Sequence, residues 1–171
     1  IKNDRSLIDI IILCTPSGLH VKEAIAAAEA GVDVITEKPM ALRLEDGLEM
    51  VKKLNKEKVN LFVVKQIRFN EALKLLKKQI ESGKFGKISI VSINVFWHRS
   101  QQYYDSDSWR GTKLFDGGAL LNQASHYVDL LEWIIGPLEG VYANVSTISR
   151  EIEVEDTAVL QLKWKNGALG S

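Results

Sequence analysis

The chain has a single cysteine, Cys14, among its 171 residues. One cysteine cannot form a disulfide within the chain, and a chain without disulfides suits a reducing compartment. Its 46% hydrophobic and 26% charged residues are those of an ordinary globular protein with a packed core. We therefore expect a folded cytoplasmic protein.

Net charge is also missing, because 22 Lys and Arg residues balance 22 Asp and Glu residues. A neutral chain has no general field that would attract nucleic acid or anionic lipid. The longest aliphatic run, residues 8–13, is far shorter than the roughly 20 residues that cross a bilayer. We expect neither nucleic acid nor a membrane as a partner, so any anionic ligand must be held by local groups.

Two kinds of ligand motif do not occur in this sequence. Neither the G-x-G-x-x-G pattern nor the P-loop pattern is present, so this chain alone could not hold the pyrophosphate of a dinucleotide. The spacing of potential zinc ligands is also wrong, because Cys14, His20, His98 and His126 show no short pairs. We expect no metal site.

The first 68 residues alternate between strand and helix patterns. The patterns predict strands at 8–13, 32–35 and 61–64, and helices that run from the cap residue Ser17 to Gly31 and over 44–58. The aliphatic run at 8–13 is typical of a parallel strand that is covered on both faces. Leu44, Leu48, Val51 and Leu54 are predicted to face inward from the second helix. This alternation predicts right-handed crossovers and a parallel sheet.

The pattern changes after Arg68. It predicts helices at 72–82 and 118–135, an irregular segment at 99–115, and strands at 87–98, 141–149 and 157–164. Consecutive strands without crossover helices are typical of an antiparallel sheet. The sequence therefore predicts an α/β parallel sheet followed by an α+β domain with a largely antiparallel sheet, with the boundary near residues 66–70.

A charged tripeptide, Glu37-Lys38-Pro39, directly follows the second predicted strand. Ligands of open α/β sheets bind at the carboxyl ends of the strands, and Pro39 fixes the backbone φ where the chain turns. An ionisable pair at that position indicates a ligand site. The alternative is a surface turn with two solvated charges.

His126 has a polar neighbour on the last predicted helix. Asn122 lies four residues before it and Asp129 three residues after it, so all three would share one helix face. An imidazole can take a proton near neutral pH, and an amide can both donate to and accept from a hydroxyl. This arrangement suits a ligand that carries hydroxyl groups, whereas the alternative is a core histidine bonded to a backbone carbonyl.

Four ordered segments carry a resemblance to a known family. They are the segments 12–20 (ILCTPSGLH), 37–39 (EKP), 66–70 (QIRFN) and 117–129 (GGALLNQASHYVD). Together they resemble the family of glucose-fructose oxidoreductase, inositol dehydrogenase and rhizopine-catabolism proteins (GFO/IDH/MocA). The resemblance implies an NAD(P)-dependent sugar or polyol dehydrogenase with a Rossmann-like first domain.

A narrower branch shares further segments with this chain. The segments 108–112 (SWRGT), 116–118 (DGG), 122–131 (NQASHYVDLL) and 152–157 (IEVEDT) are similar to bacterial nucleotide-sugar 3-dehydrogenases. Those enzymes oxidise C3 of UDP-N-acetyl-glucosaminuronic acid for surface polysaccharides such as lipopolysaccharide. Many polyol dehydrogenases of the family have Asp where this chain has Asn122, which argues against an Asp–His relay here.

The resemblance also implies a role for individual residues. Lys38 and His126 would be catalytic, with His126 as general base. NAD, or alternatively NADP, would be bound by Thr15, Pro16, Ser17, His20, Glu37 and Lys38. The nucleotide-sugar substrate would be bound by Arg68, Trp109, Arg110, Asn122 and Gln123.

The resemblance places this chain inside a longer protein. It implies that residues 1–68 are a dinucleotide-binding domain without its glycine-rich start, and that 69–171 are part of a substrate and oligomerisation domain. We expect the 171-residue chain alone to be inactive and to bind NAD poorly, and the whole protein to form a dimer or tetramer through the antiparallel sheet. The alternatives are another sugar or inositol dehydrogenase of the family and a non-catalytic sensor of a dinucleotide or sugar.

Overall fold

A computed structural model describes residues 7–171, so the first six residues of the predicted domain 1–68 lie outside the described range. Residues 10–63 form the parallel-sheet region, whose three strands lie in the order β1-β2-β3 and are all parallel. Its elements are β1 (Ile10–Leu13), α1 (His20–Glu29), β2 (Asp33–Thr36), α2 (Leu44–Glu57) and β3 (Leu61–Val63). The predicted parallel sheet is confirmed.

The core of the parallel-sheet region lies between the sheet and its two helices. Small residues on α1 let that helix pack closely, and the larger side chains of α2 fill the remaining space. The buried members of this core are Leu13, Ala24, Ala27, Ala28, Val34, Met50 and Leu54. Gly31 ends the first helical segment with φ 73°, as the sequence predicts.

The predicted cover on both faces of the parallel sheet is wrong. Ile12, Ile35 and Phe62 lie side by side in the sheet, yet Ile12 and Phe62 are 60% and 52% exposed, so the described helices cover only one face.

The predicted inward face of α2 is wrong in part. That face is formed by Met50 and Leu54. The other three predicted inward residues are exposed: Leu44, Leu48 and Val51. The side of α2 that carries Met50 faces the core, because packing against the sheet and α1, and not the spacing of apolar residues alone, determines which side of the helix is buried.

The mixed-sheet region comprises residues 71–170. Its elements are α3 (Glu71–Glu81), β4 (Ile90–Val91), α4 (Gln101–Asp105), α5 (Ser125–Ile135), β5 (Leu138–Ser146), β6 (Thr157–Trp164) and β7 (Leu169–Gly170). The strand order is β4-β7-β6-β5, and only the β4–β7 pair is parallel. The predicted largely antiparallel sheet is confirmed, with a small core formed by Leu131, Leu162, Trp164 and Ala168.

The predicted strand at 87–98 is mostly absent from the described sheet. Only Ile90 and Val91 pair as a strand, with Leu169 and Gly170 of β7. Alternating residues form a strand only where a neighbour supplies hydrogen bonds. Beyond Val91 an open groove of about 640 Å³ separates residues 93–98 from β6, and α5 forms its floor.

The predicted irregular segment and the predicted last helix also need correction. The segment at 99–115 contains α4, because the Ser100 side chain accepts from the backbone of Tyr103 and caps that helix.

Two predicted helices also begin differently. Ser17 does not cap α1 but begins a 3₁₀ turn over Ser17–Leu19 without a side-chain cap. The predicted helix at 118–135 is divided into a π-helical turn, Ala119–Gln123, and α5.

The predicted starts of α3 and β5 can also be compared with the structure. The Asn70 side chain accepts from the backbone of Ala72 and Leu73 and caps α3, close to the predicted start. The predicted strand at 141–149 corresponds to β5, which begins at Leu138 and ends at Ser146. Within residues 7–171, no helix is long and apolar enough to cross a membrane.

Candidate active site

The carboxyl ends of β1 and β2 meet at one edge of the parallel sheet. The backbone N–H of Glu37 donates to the carbonyl of Leu13 at 3.0 Å, which joins the two strand ends. Glu37-Lys38-Pro39 therefore begins beside the loop that starts at Cys14, and the Lys38–Pro39 peptide is cis. This is the edge at which ligands of open α/β sheets bind.

His20 connects the loops that follow these two strands. Its ring is 1% exposed, with Nδ1 2.8 Å from the Pro39 carbonyl and Nε2 2.9 Å from the Thr15 carbonyl. Both ring nitrogens are thus occupied by backbone atoms. His20 positions the Thr15 and Pro39 backbones, while the Thr15 hydroxyl donates to Glu23 at 2.6 Å.

The turn that contains Ser17 is covered by a loop of the mixed-sheet region. The Gly18 N–H donates to the Phe115 carbonyl at 3.2 Å. A Cβ on Gly18 would collide with the Leu114 carbonyl, so only glycine permits this approach. Ser17 is buried beneath this contact, and Pro16 directly precedes it.

Lys38 reaches across to the mixed-sheet region. Its Nζ donates to the backbone carbonyl of Asn122 at 2.7 Å and to Asn122 Oδ1 at 2.9 Å. Burial lowers the pKa of Lys38 below 10.5, and the neighbouring cations Lys65 and Arg99 lower the pKa further. The carboxylates of Glu37 and Asp116 act in the opposite direction and raise the pKa.

Asn122 is fixed by a buried carboxylate on its other side. Its Nδ2 donates to Asp116, whose side chain also accepts from the backbone N–H of Gly111. Asp116 is only 2% exposed. A continuous chain of hydrogen bonds therefore runs from the Asp116 carboxylate through the Asn122 amide to the Lys38 ammonium.

The helix that carries Asn122 and His126 is not continuous. The Ala124 N–H donates to the Ala119 carbonyl at 2.7 Å, five residues back, and α5 begins at Ser125. Asn122 and His126 therefore do not share one face of a single α-helix, contrary to the sequence prediction. Glu155 holds the start of the π-helical turn, because its Oε1 accepts from the Leu120 N–H at 2.9 Å.

His126 is buried near Lys38 and the end of β3. Its Nε2 lies 3.4 Å from Gln66 Nε2, and its Nδ1 has no hydrogen-bond partner among the described residues. Burial lowers the pKa of His126 below 6.5, and the positive charges of Lys38 and Lys65 lower the pKa further. The carboxylates of Glu37 and Asp129 raise the pKa by lesser amounts. The imidazole is thus favoured in its neutral, proton-accepting form.

Arg68 is engaged by an acidic side chain of α5. Its Nε and Nη2 donate to the two carboxylate oxygens of Asp129 at 2.7 and 2.6 Å. Lys65 Nζ lies 3.9 Å from the same carboxylate. Arg68 and Asp129 therefore join the turn after β3 to α5, and Asp129 lies beside Arg68 as well as near His126.

Three of the predicted substrate residues meet around Tyr103. The Arg110 side chain donates to the Tyr103 hydroxyl at 2.7 Å, and Gln123 Nε2 lies 3.4 Å from the same oxygen. The Arg110 guanidinium lies over the rings of both Tyr103 and Trp109, 4.4 and 4.7 Å from their centroids. The Arg99 guanidinium also stacks on Tyr103, 5.1 Å from the ring centroid. These residues form the Tyr103 cluster.

Sequence reasoning missed several residues of this site. Lys65 and Gln66 lie directly after β3, a position that the strand-end rule could have flagged. Tyr103 belongs to an aromatic-rich segment, but Asp116 has no local signal beyond its place before Gly117.

Within residues 7–171, no group of three or more His, Cys, Asp or Glu side chains could hold a metal ion.

Two family models cover almost the whole chain. A model described as "Oxidoreductase family, NAD-binding Rossmann fold" matches residues 1–65. A model described as "GFO/IDH/MocA C-terminal domain" matches residues 73–171. The first model confirms the predicted Rossmann-like region, and both confirm the family resemblance.

Solved structures of two WlbA dehydrogenases, each in complex with NADH and UDP-GlcNAcA, resemble this chain. The Bordetella pertussis protein is 57% identical with a TM-score of 0.93, over 95% of this chain and 50% of that one. The Chromobacterium violaceum protein is 56% identical with a TM-score of 0.95, over 99% and 50%.

A curated relative, myo-inositol 2-dehydrogenase from Thermotoga maritima, is 33% identical over 95% of this chain and 48% of its own length. The chain spans about half the length of each of these three proteins.

Proposed function

The chain belongs to the GFO/IDH/MocA family of NAD-binding oxidoreductases, and from that premise we propose that the whole protein oxidises the C3 hydroxyl of UDP-GlcNAcA (UDP-N-acetyl-glucosaminuronic acid) with NAD. The observation that carries the proposal is the 57% identity to a dehydrogenase solved with NADH and UDP-GlcNAcA. The position of Lys38, Asn122 and His126 at the strand-end edge supports it. The segments that resemble nucleotide-sugar 3-dehydrogenases support a role in surface-polysaccharide precursor synthesis, and we place that role in the cytoplasm.

His126 acts as the general base in this proposal. Because burial and two nearby lysines lower the pKa of His126, the imidazole is neutral at physiological pH and can take the hydroxyl proton. Its buried Nδ1, which has no partner among the described residues, is the type of polar atom that a bound ligand satisfies. NAD supplies the hydride acceptor for C3, and NADP is the alternative.

Lys38 polarises the hydroxyl that is oxidised. Its Nζ is a cation with three donors, of which the two acceptors on Asn122 use two. The third N–H can donate to the sugar oxygen, which favours alkoxide character while the proton moves to His126. Lys38 therefore serves both the substrate side and, beside Glu37, the cofactor side.

The remaining proposed contacts fall into two groups. The cofactor side consists of the loop atoms of Thr15, Pro16, Ser17 and Glu37, with His20 holding the loops in place. The substrate side consists of Asn122 and the Tyr103 cluster, which presents Trp109, Arg110 and Gln123. Arg68 donates two of its five N–H groups to Asp129, so the other N–H groups of the guanidinium are the ones that would contact a ligand carboxylate or diphosphate.

Substitution of the two central residues tests the assignment. In the whole protein, His126→Asn and Lys38→Ala should each lower turnover of UDP-GlcNAcA by about 10²- to 10⁴-fold, since a positioned acid–base group contributes that much. NAD affinity, measured by calorimetry, should change little in His126→Asn, because His126 is not among the proposed cofactor contacts. Lys74→Ala, at an exposed ion pair on α3, is the matched control and should retain wild-type turnover.

A substrate panel distinguishes the alternatives. Turnover of myo-inositol or another free sugar without turnover of UDP-sugars would replace the proposed substrate with another of the family. Binding of NAD without turnover of any of them would indicate a sensor. Wild-type turnover in both variants would remove Lys38 and His126 from the mechanism.

The pH profile provides an independent test of the base. A base with a lowered pKa keeps its neutral form at lower pH, so the acid limb of kcat/KM should lie below pH 6.5. Lys38→Ala removes a positive charge near His126 and should move this limb to higher pH. A limb that stays in place would contradict the electrostatic coupling of the two residues.

We also infer that the whole protein forms a homo-oligomer through its mixed sheet. Cross-strand pairing puts Tyr142 and Val159 in the same sheet as the exposed Ile90 and Leu169. Exposed apolar residues gathered on one sheet favour protein contacts. Val159→Lys should lower the mass measured by light scattering, and an unchanged mass would contradict this interface.

A further inference from the structure

Asp116 is a buried carboxylate that the proposed reaction does not use directly. It is 2% exposed, and its two described partners are the Gly111 N–H and the Asn122 amide. A buried charge is costly unless its hydrogen bonds are satisfied. One carboxylate oxygen of Asp116 accepts from the Gly111 N–H and so tethers that loop. The other accepts from Asn122, the residue that binds Lys38.

The Asn122 amide transmits the orientation of this carboxylate. An amide donates from its nitrogen and accepts at its oxygen, so only one of its two orientations suits a carboxylate on one side and an ammonium on the other. Asp116 accepts from Nδ2, which leaves Oδ1 pointing at Lys38 Nζ, 2.9 Å away. The reversed amide would put two donors against each other at Lys38.

We propose that Asp116 is a positioning residue for Lys38, which acts through the Asn122 amide to fix the ammonium beside the reacting hydroxyl. This inference rests on the proposed role of Lys38. It gives a role to a residue that the sequence analysis placed in the segment 116–118 without assigning it a function. The negative charge of Asp116 also favours the protonated form of Lys38, the form that donates to the sugar oxygen.

The charges that face Lys38 are few and allow a clean test. They are Glu37 and Asp116, which favour its protonation, and Lys65 and Arg99, which oppose it. Lys65 is a matched internal control, because it is also half-buried but has its own carboxylate partner in Asp129. A change at Asp116 should therefore reach Lys38 and leave Lys65 unaffected.

The experiment is competitive acetylation of the whole protein with trace acetic anhydride between about pH 7 and 11, a range that brackets lysine ionisation, with each lysine quantified by mass spectrometry. Asp116→Asn removes the charge and leaves one acceptor oxygen for two donors, the Gly111 N–H and the Asn122 amide, which weakens the hold on that amide. Lys38 should then lose its proton at lower pH, and its labelling at a fixed pH near 8 should rise about threefold to tenfold, since one pKa unit is tenfold.

A double variant that moves the carboxylate from position 116 to position 122 distinguishes the proposed effect from simple misfolding. In Asp116→Asn/Asn122→Asp, the amide introduced at position 116 donates to the carboxylate introduced at position 122, whose second oxygen faces Lys38. Labelling of Lys38 should return to within about twofold of wild type or fall below it, because the carboxylate again favours the ammonium. A rise in the double variant equal to that in the single variant would overturn the proposal.

Two further results bear on the proposal. Unchanged labelling of Lys38 in Asp116→Asn would overturn it, as would a rise shared equally by Lys65, because that would indicate general loosening of the fold. In turnover assays, Asp116→Asn should lower kcat by about tenfold to a hundredfold with little change in KM, since it perturbs a positioned group and not the binding surface. If the whole protein oxidises no UDP-sugar, the labelling result still stands, so failure of the substrate proposal and failure of this inference are distinguishable.

Discussion

The two regions of this molecule are held together in different ways. In the parallel-sheet region, the core consists of aliphatic and alanine side chains of which none is more than 4% exposed. In the mixed-sheet region, the core cluster has four buried members, of which Trp164 is the largest, and α3 buries no residue fully. Both regions bury polar side chains, which are Ser17, His20 and Thr36 in the first and Asp116, Asn122, Ser125 and His126 in the second, and only the second set includes a carboxylate.

Because the site takes residues from both regions, this difference in packing divides the site into two parts. Lys38 extends from a region whose backbone is fixed by dense packing, so its position changes little when a distant residue changes. Its partners Asn122 and His126 belong to a region fixed by a few apolar side chains and by directional hydrogen bonds. We expect the mixed-sheet side of the site to be the more sensitive to substitution.

The largest expected effect tests the small core of the mixed-sheet region. Trp164→Ala should lower the free energy of unfolding by about 3–5 kcal/mol, as is usual when a buried large aromatic is removed. Trp164→Phe should cost markedly less, because it also removes an indole N–H that has no partner among the described residues. Chemical denaturation measures both, and a cost below about 1 kcal/mol for the alanine variant, far under that range, would contradict a central place for Trp164 in this core.

Overpacking compares the two regions directly. Ala24→Leu inserts three carbons into the dense core under α1 and should cost about 1–3 kcal/mol. Ala158→Leu, whose side chain lines the open groove beside β6, should change the stability of the 171-residue chain by less than about 0.5 kcal/mol. Equal costs, measured by thermal and urea unfolding, would mean that the packing of the two regions does not differ.

The ion pair between the turn after β3 and α5 should have a smaller effect. Arg68 and Asp129 are 40% and 14% exposed in their side chains, so solvent screens part of their attraction. A double-mutant cycle with Arg68→Ala and Asp129→Ala should give a coupling of about 1 kcal/mol. A coupling near zero would show that the two regions are joined only through the site and the chain itself.

The smallest effect is expected at the sheet surface. Lys163 and Glu139 form an exposed pair between β6 and β5, 2.8 Å apart. Lys163→Ala should change the free energy of unfolding by no more than about 0.5 kcal/mol. A larger loss would mean that the mixed sheet depends on its surface charges, which would weaken the contrast drawn between the regions.

Local sequence determines much of the fold but not the orientation of its parts. The strand at 157–164 is predicted correctly at both ends, because alternation and flanking polar residues define it locally. The predicted inward face of α2 is right at Leu54 but wrong at its other three positions, since Leu48 and Met50 are both apolar and only the shape of the neighbouring core selects between them. The predicted strand at 87–98 fails because a strand depends on a neighbour that its own sequence does not encode.

The candidate site shows the same division. The position of Lys38 at a strand end can be predicted, because strand ends of parallel sheets converge on one edge. The contact between Lys38 and Asn122 joins residues 84 apart in sequence, and Asp116 is linked to it only through folding. The roles of these residues and the boundary near residues 66–70 stay predictions.

The π-helical turn at Ala119–Gln123 makes the length of this segment as important as its composition. In an α-helix each residue advances the side chains by about 100°. Deletion of one residue from the turn would restore ordinary helical spacing and rotate Asn122 away from Lys38, while α5 and His126 kept their places. A protein of this type could therefore detach its amide from its lysine without any substitution at either residue, through a change of one residue in length.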